Sequence, residues 1–225
     1  LMAVGISQDY KNFYNMIIHN SDPQYIFVAV PKTGTTTIQN FMRSEHVIPE
    51  LATKKCKWLV GDYHSSINEI LEKYNITNSK SYFKFAFHRN PWDRMVSFWH
   101  DYTTDQLHLT WSKELLDYKN FETFVIEFAN SKWRQHKNFK PTVEYTHIDG
   151  KQAVDKICLY DNFENDIKFC FEKINLSSEK FSTTKKLRRA PREKNYKKYY
   201  TNEKMIQAVA DAFIEDINLF GDKFD

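Results

Sequence analysis

The chain has 225 residues, 41% of them hydrophobic and 16% aromatic, enough to close one sizeable core, so residues 1–225 read as a single domain. Its net charge of +3 is too small for a general nucleic-acid or polyanion binder, although local basic clusters can still act. No apolar stretch reaches the about 20 residues needed to span a bilayer, and the start lacks the basic-then-apolar pattern of a signal peptide.

Residues 1–24 read as an N-terminal extension. Tyr25-Ile-Phe-Val-Ala-Val30 is a continuous apolar run, the profile of a strand buried on both faces of a parallel sheet, whose carboxyl end is where such sheets place ligands. It stops abruptly in Pro31-Lys-Thr-Gly-Thr-Thr-Thr37. Gly34 permits close backbone approach to an anion. A helix over 35–43, marked by Ile38, Phe41 and Met42 at helical spacing, directs its first N–H groups the same way. With hydroxyls from Thr33, Thr35, Thr36 and Thr37 and the mobile charge of Lys32, the segment describes an oxyanion cradle.

After Trp58-Leu-Val60 and Gly61-Asp-Tyr-His64, Ile67, Ile70, Leu71 and Tyr74 mark a helix. Ser66 with Glu69 forms a capping box, which leaves His64 in the loop before it. A second apolar run at 82–87 leads into His88-Arg-Asn-Pro-Trp-Asp93, again strand, turn and helix. Asn90 is the expected N-cap and Pro91 the first helical residue. Trp92, Met95, Val96 and Trp99 form an apolar stripe expected in the core, while Asn90, Asp93 and Ser97 follow another face.

Residues 103–150 are aromatic, polar and irregular, with a helix at 121–128 and the cluster Trp133, Arg134, His136 and Lys137. A substrate-facing insertion and solvated loops are both open for this region. A strand at 157–160 and an amphipathic helix through Phe163, Ile167, Cys170, Phe171 and Ile174 follow. Lys185-Lys-Leu-Arg-Arg-Ala-Pro-Arg192 then concentrates five cations in eight residues. One closing helix runs through Ile206, Val209, Phe213, Ile217 and Phe220, capped by Gly221. Cys56, Cys158 and Cys170 lack metal-ligand or redox spacing, so buried free thiols are expected. The sequons Asn75-Ile-Thr77 and Asn175-Leu-Ser177 suit a secretory protein and also arise by chance, leaving the compartment open between cytoplasm and a luminal domain whose upstream anchor was removed.

Two strand-turn-helix units with cationic turns, Lys32 in one and Arg89 in the other, are the expected plan for holding a nucleotide with phosphates at two ends. The kinase-type loop places Lys and Ser/Thr directly after its last glycine, whereas Lys32 precedes Gly34. A P-loop kinase using ATP and magnesium is thereby disfavoured, and a non-catalytic nucleotide- or polyanion-binding module is a third reading.

Pro31-Lys-Thr-Gly-Thr-Thr36 resembles the 5′-phosphosulfate loop of the sulfotransferases, and Arg89-Asn-Pro-Trp-Asp-Arg-Met-Val-Ser97 resembles their 3′-phosphate segment. Tyr160-Asp-Asn-Phe-Glu164, Tyr196-Lys-Lys-Tyr-Tyr200 and Asp216-Ile-Asn-Leu-Phe-Gly221 are similar to the carbohydrate (membrane-type) branch and its bacterial relatives. Thr37, where the cytosolic branch carries an aromatic residue, points the same way. Leu159 and Asp161 depart from the Arg and Glu usual in relatives.

The resemblance implies a P-loop-like three-layer α/β fold, a central mainly parallel sheet flanked by helices. It implies transfer of a sulfuryl group from 3′-phosphoadenosine 5′-phosphosulfate to a hydroxylated small molecule or saccharide, leaving 3′-phosphoadenosine 5′-phosphate, with neither metal nor nucleic acid required. Lys32 would stabilise the leaving oxygen, and Arg89 and Ser97 would read the 3′-phosphate. Arg188 and Arg189, with Lys185, Lys186 and Arg192, would close over that phosphate or bind an acidic acceptor. His64, kept neutral beside a helix N-terminus, is the expected general base, with Asp62 and His100 next. Trp99, Trp111 and Trp133 are candidates for stacking on a sugar or for the core. Acceptor identity and oligomeric state are not in the sequence.

Overall fold

The computed structural model describes residues 17–19, 22–46, 58–59, 64–104, 118, 120–128, 131, 134, 136–182 and 192–224. In chain order its elements are β1 (Ile17–His19), β2 (Tyr25–Val28), α1 (Thr35–His46), β3 (Trp58–Leu59), α2 (Ile67–Lys73), β4 (Phe83–His88), α3 (Pro91–Thr104), α4 (Phe121–Phe128), α5 (Thr142–Thr146), β5 (His147–Ile148), β6 (Lys151–Gln152), β7 (Lys156–Leu159), α6 (Phe163–Lys173), α7 (Ser178–Ser182), α8 (Glu203–Ala212) and α9 (Ile214–Phe220).

The central sheet runs β3-β1-β2-β4-β7 among the described residues. β2, β4 and β7 pair in parallel, and only β1 runs against its neighbours. The period-2 alternation of a strand divides the apolar runs between two faces. Tyr25, Phe27, Phe85 and Phe87 meet Ile38, Phe41 and Met42 of α1 and Ile167 and Phe171 of α6. Ile26, Val28 and Ala86 meet Ile67 and Ile70 of α2 and Tyr145 of α5. The chain is therefore α/β, a mainly parallel sheet between helices, as the sequence predicts. Each such buried aromatic or branched side chain contributes about 1.5–3 kcal/mol. A third cluster joins Trp92, Met95 and Val96 of α3 to α4 and α8, so the expected α3 stripe is core.

Local signals translate directly. Ser66 and Glu69 make both bonds of the capping box, and Asn90 Oδ1 accepts from the N–H groups of Trp92 and Asp93. Cys158 and Cys170 are buried and free, their sulfurs 3.3 Å apart; Cys56 lies outside the described residues. Three expectations change. β1 falls within the stretch read as an extension, yet it is an inner strand of the sheet. Within 103–150, Phe121, Phe124, Phe128, Phe139 and Tyr145 are buried, so the described part of that region builds core.

The single closing helix is two. Phe213, fully buried at φ −123°, interrupts it and re-aims α9 so that buried Asp216 accepts from the N–H groups of Thr142 (2.7 Å) and Val143 (3.0 Å). Pro141 provides no side-chain cap for α5; Asp216 serves instead from across the fold. Next to it His88, buried at the end of β4, bonds Thr142 Oγ1 through Nδ1 (2.9 Å) and Asp222 through Nε2 (2.8 Å) while stacking on Phe220. Asp216→Ala would strand one buried and one part-buried donor and is expected to lower the unfolding free energy by about 2–4 kcal/mol, read from the denaturation midpoint at unchanged slope.

Candidate functional site

β2 and β4 are parallel neighbours in the register Val28↔Ala86, so their following turns open at the same edge of the sheet. The first turn is held in an unusual backbone shape, with Lys32 at φ 65° and Gly34 at φ 84°. For a lysine that conformation costs about 1–2 kcal/mol, and the neighbours enforce it. Arg89 Nη1 donates to the Lys32 carbonyl (2.8 Å) and Arg94 Nε to the Pro31 carbonyl (3.1 Å). Thr33, fully buried, donates its hydroxyl to the Val30 carbonyl. Two consecutive carbonyls are thus occupied by guanidiniums and are not offered to an incoming anion.

Gly34 has a second reason to lack a side chain. A Cβ there would lie 3.0 Å from the Phe163 ring and 3.4 Å from that of Tyr160, so α6 and the turn before it lean on the loop. α1 starts at Thr35, and the N–H groups of Thr37 and Ile38 both return to the Gly34 carbonyl. Helix geometry leaves the preceding N–H groups without intrahelical acceptors, the arrangement that attracts phosphate. Thr35 and Thr37 are buried, while Thr36 and Lys32 are half-buried. Lys32 Nζ reaches α3 and pairs with Asp101 at 2.9 Å.

The second turn carries Arg89, buried against the Tyr160 ring with its guanidinium carbon 4.3 Å from the ring centre. Its Nε donates to Asp93 Oδ2 at 2.6 Å. Arg192 Nη1 lies 2.8 Å from Asp93 Oδ1, an ion pair without aligned hydrogen-bond geometry. Burial alone would raise the Asp93 pKa, but the two guanidiniums outweigh it and hold the carboxyl below its ordinary range. Ser97 is half-buried one turn further along α3. Arg94 is completely buried between Phe98 and Phe213, and its two terminal nitrogens have no geometrically aligned hydrogen-bond partner among the described residues. Burial lowers its pKa, with Asp216 opposing.

His64 stands beside the first turn at φ 55°, buried, its Nδ1 2.8 Å from the Ala29 carbonyl. A carbonyl only accepts, so Nδ1 carries the proton and Nε2 is the basic nitrogen. Its pKa is pushed down to about 3 by burial, against the Ala29 bond, and further by Arg94, Lys137 and Lys32. The ring is neutral, as the sequence predicts; burial rather than the α2 terminus is the main cause. Of the other histidines, His88 belongs to the α9 latch, and His100 Nε2 lies 2.8 Å from the Tyr199 hydroxyl. Trp99 packs on Phe121 and Phe124.

Lys32, Thr33, Gly34, Thr35, Thr36, Thr37, Arg89 and Ser97 are therefore carried by the two turns and the helices that follow them, and His64, from the loop before α2, joins them through Ala29 at the end of β2. Arg188 and Arg189, with Lys185, Lys186, Asp62, Trp111 and Trp133, lie outside the described residues. Sequence reasoning missed the loop-supporting role of Arg94, the lysine partner Asp101, and Tyr160 and Phe163 as its aromatic flank. A signal existed for Asp101, because Asp93, Ser97 and Asp101 recur at intervals of four along α3.

A family model described as "Sulfotransferase family" matches residues 15–224. Neither the curated proteins nor the solved structures gave a match.

Two outcomes follow from this geometry. Gly34→Ala combines the left-handed backbone with the Phe163 contact and is expected to cost about 1–3 kcal/mol, read by thermal melting. Because His64 titrates near 3 in the folded chain and near 6.5 when unfolded, the unfolded state binds the extra proton between those values and stability falls as pH drops. The slope reaches about 1.4 kcal/mol per pH unit, and denaturation series at pH 4 to 7 should show it reduced in His64→Gln.

Proposed function

Because the chain belongs to the sulfotransferase family, we propose that it transfers a sulfuryl group from 3′-phosphoadenosine 5′-phosphosulfate to a hydroxyl of a saccharide acceptor by direct in-line displacement. The observation that carries this reading is the 2.8 Å bond from Arg89 to the Lys32 carbonyl. It ties the two cationic turns into one frame, suited to a nucleotide with anionic groups at both ends. The residues present fit such a donor: a glycine-containing loop at a helix start with its carbonyls engaged elsewhere, a lysine, and the Arg89 and Arg192 pair, which among the described residues shares one carboxylate, Asp93.

When bound, the donor supplies an activated sulfuryl group on a phosphate leaving group. Lys32 and the first N–H groups of α1 neutralise charge that develops on the bridging oxygen, the kind of preorganised stabilisation that dominates such transfers. Arg89 and Ser97 hold the 3′-phosphate, the guanidinium by its fork and the hydroxyl as a neutral donor. Arg192, with Arg188 and Arg189 ahead of it in sequence, closes over the same group. His64 Nε2 accepts the proton of the acceptor hydroxyl as the new oxygen–sulfur bond forms and the old one to the 5′-phosphate breaks. The Ala29 carbonyl fixes its tautomer. A bound polyanion offsets the field of Lys32 and Arg94 at the ring and raises its proton affinity for that step. A saccharide acceptor is supported by Thr37 and by the carbohydrate-type segments at 160–164 and 216–221.

Calorimetry with 3′-phosphoadenosine 5′-phosphate, 5′-AMP and ATP with magnesium tests the donor. We expect the 3′-phosphorylated nucleotide to bind at least about tenfold more tightly than 5′-AMP, the equivalent of one good charge-assisted contact, and Arg89→Ala to abolish the difference. Equal binding, or tighter magnesium-dependent ATP binding, would overturn the reading. In sulfuryl-transfer assays Lys32→Ala is expected to lose about 10²-fold or more in turnover.

A further inference from the structure

The carboxylate of Asp101 sits against the lysine assigned to the leaving group, with Nζ and Oδ2 2.9 Å apart and the two side chains only 21% and 16% exposed. At such burial the pair is poorly screened by solvent. Its two ends differ in mobility. Asp101 belongs to α3, which Pro91 and Asn90 start firmly. It lies one turn beyond Ser97, on the stripe that carries the proposed 3′-phosphate contact. Lys32 is a four-carbon stem on a loop whose backbone is fixed by Arg89 and Arg94. The carboxylate is therefore the stationary partner and the ammonium the one that can swing.

We propose that Asp101 is a positioning residue for sulfuryl transfer: it holds Lys32 through an ion pair that the incoming 5′-phosphosulfate must break, so that donor binding exchanges one partner of the lysine for another. This rests on the donor reading above. Two opposing effects follow. The carboxylate competes with the donor for the ammonium and repels its negative charge, which weakens nucleotide binding. It also holds Lys32 at a fixed side of the cradle, which favours the transfer step. Removing the charge should tighten binding and slow turnover at once. A residue that merely stabilised α3 would weaken both.

The test compares wild type, Asp101→Asn and Asp101→Glu, each checked by thermal melting, in calorimetry with 3′-phosphoadenosine 5′-phosphate and with adenosine 3′-phosphate, which lacks the 5′ group. Steady-state turnover is measured alongside. Asp101→Asn is expected to bind the 5′-phosphorylated nucleotide about three- to tenfold more tightly, as fits a part-buried ion pair removed from competition. It should leave adenosine 3′-phosphate unchanged and lower turnover about tenfold, with Asp101→Glu recovering part of the rate. In a Lys32→Met background the affinity gain should shrink to the share that comes from direct repulsion, since the competition runs through the lysine. Unchanged or weaker binding of the 5′-phosphorylated nucleotide by Asp101→Asn would overturn the proposal while leaving the donor reading intact. Failure of wild type to bind either nucleotide would overturn both.

Discussion

The site depends on two hydrogen bonds from neighbouring arginines to neighbouring carbonyls, Arg89 to Lys32 and Arg94 to Pro31. Charge-assisted bonds of this type contribute about 1.5–3 kcal/mol each. That is enough to hold Lys32 in a left-handed conformation worth about 1–2 kcal/mol. Released from the guanidiniums, the turn would relax and its carbonyls would face the space the helix N-terminus prepares for an anion. The second motif thus acts on the first through the backbone as well as alongside it. Any substitution at Arg89 touches both ends of the proposed donor site, and its effects on the two will not separate cleanly.

Collecting cations at one sheet edge is costly unless each finds an opposite charge. Here the compensation is internal. Lys32 faces Asp101, Arg89 and Arg192 share Asp93, and the field of Asp216 acts on Arg94. Among the described residues these four cations thus face three carboxylates, which offset most but not all of their charge. An anionic ligand has to rearrange existing pairs rather than fill an open positive field, and His64 persists as a neutral ring among these charges because burial outweighs its bond to Ala29.

What could be read from the sequence was mostly local. The two apolar runs, the capping box at Ser66, the Asn90 cap and the bounds of α4 are decided within a few residues of chain, and the strand-turn-helix pairing marked the two turns that open at one sheet edge. What could not be read was decided by distant partners. β1 is three residues long, Ile17–His19, and exists because β2 and β3 pair with it on either side. The break at Phe213 is fixed by a core position and by the caps Asp216 gives α5. Gly34 looks from sequence like a concession to a ligand, and the structure adds Phe163 and Tyr160 from the far end of the chain. For His64 the sequence led to a neutral ring by a different cause from burial, since burial of a loop residue has no periodic signature.

The latch around His88 has a consequence for synthesis. Its Nε2 partner, Asp222, lies 134 residues downstream, and the amide of Asn90 donates to the Lys223 carbonyl 133 residues downstream. Phe224 closes over Trp92 and Tyr200. The turn that carries Arg89 is thus framed by residues that leave the ribosome more than 130 residues after it. The turn before α1 can form early, from β2 and α1, but the neighbouring turn acquires these surroundings only after residues 222–224 have been made. Completion of the frame around Arg89 is therefore a late event in the vectorial folding of residues 17–224, arriving well after most of the sheet can have assembled.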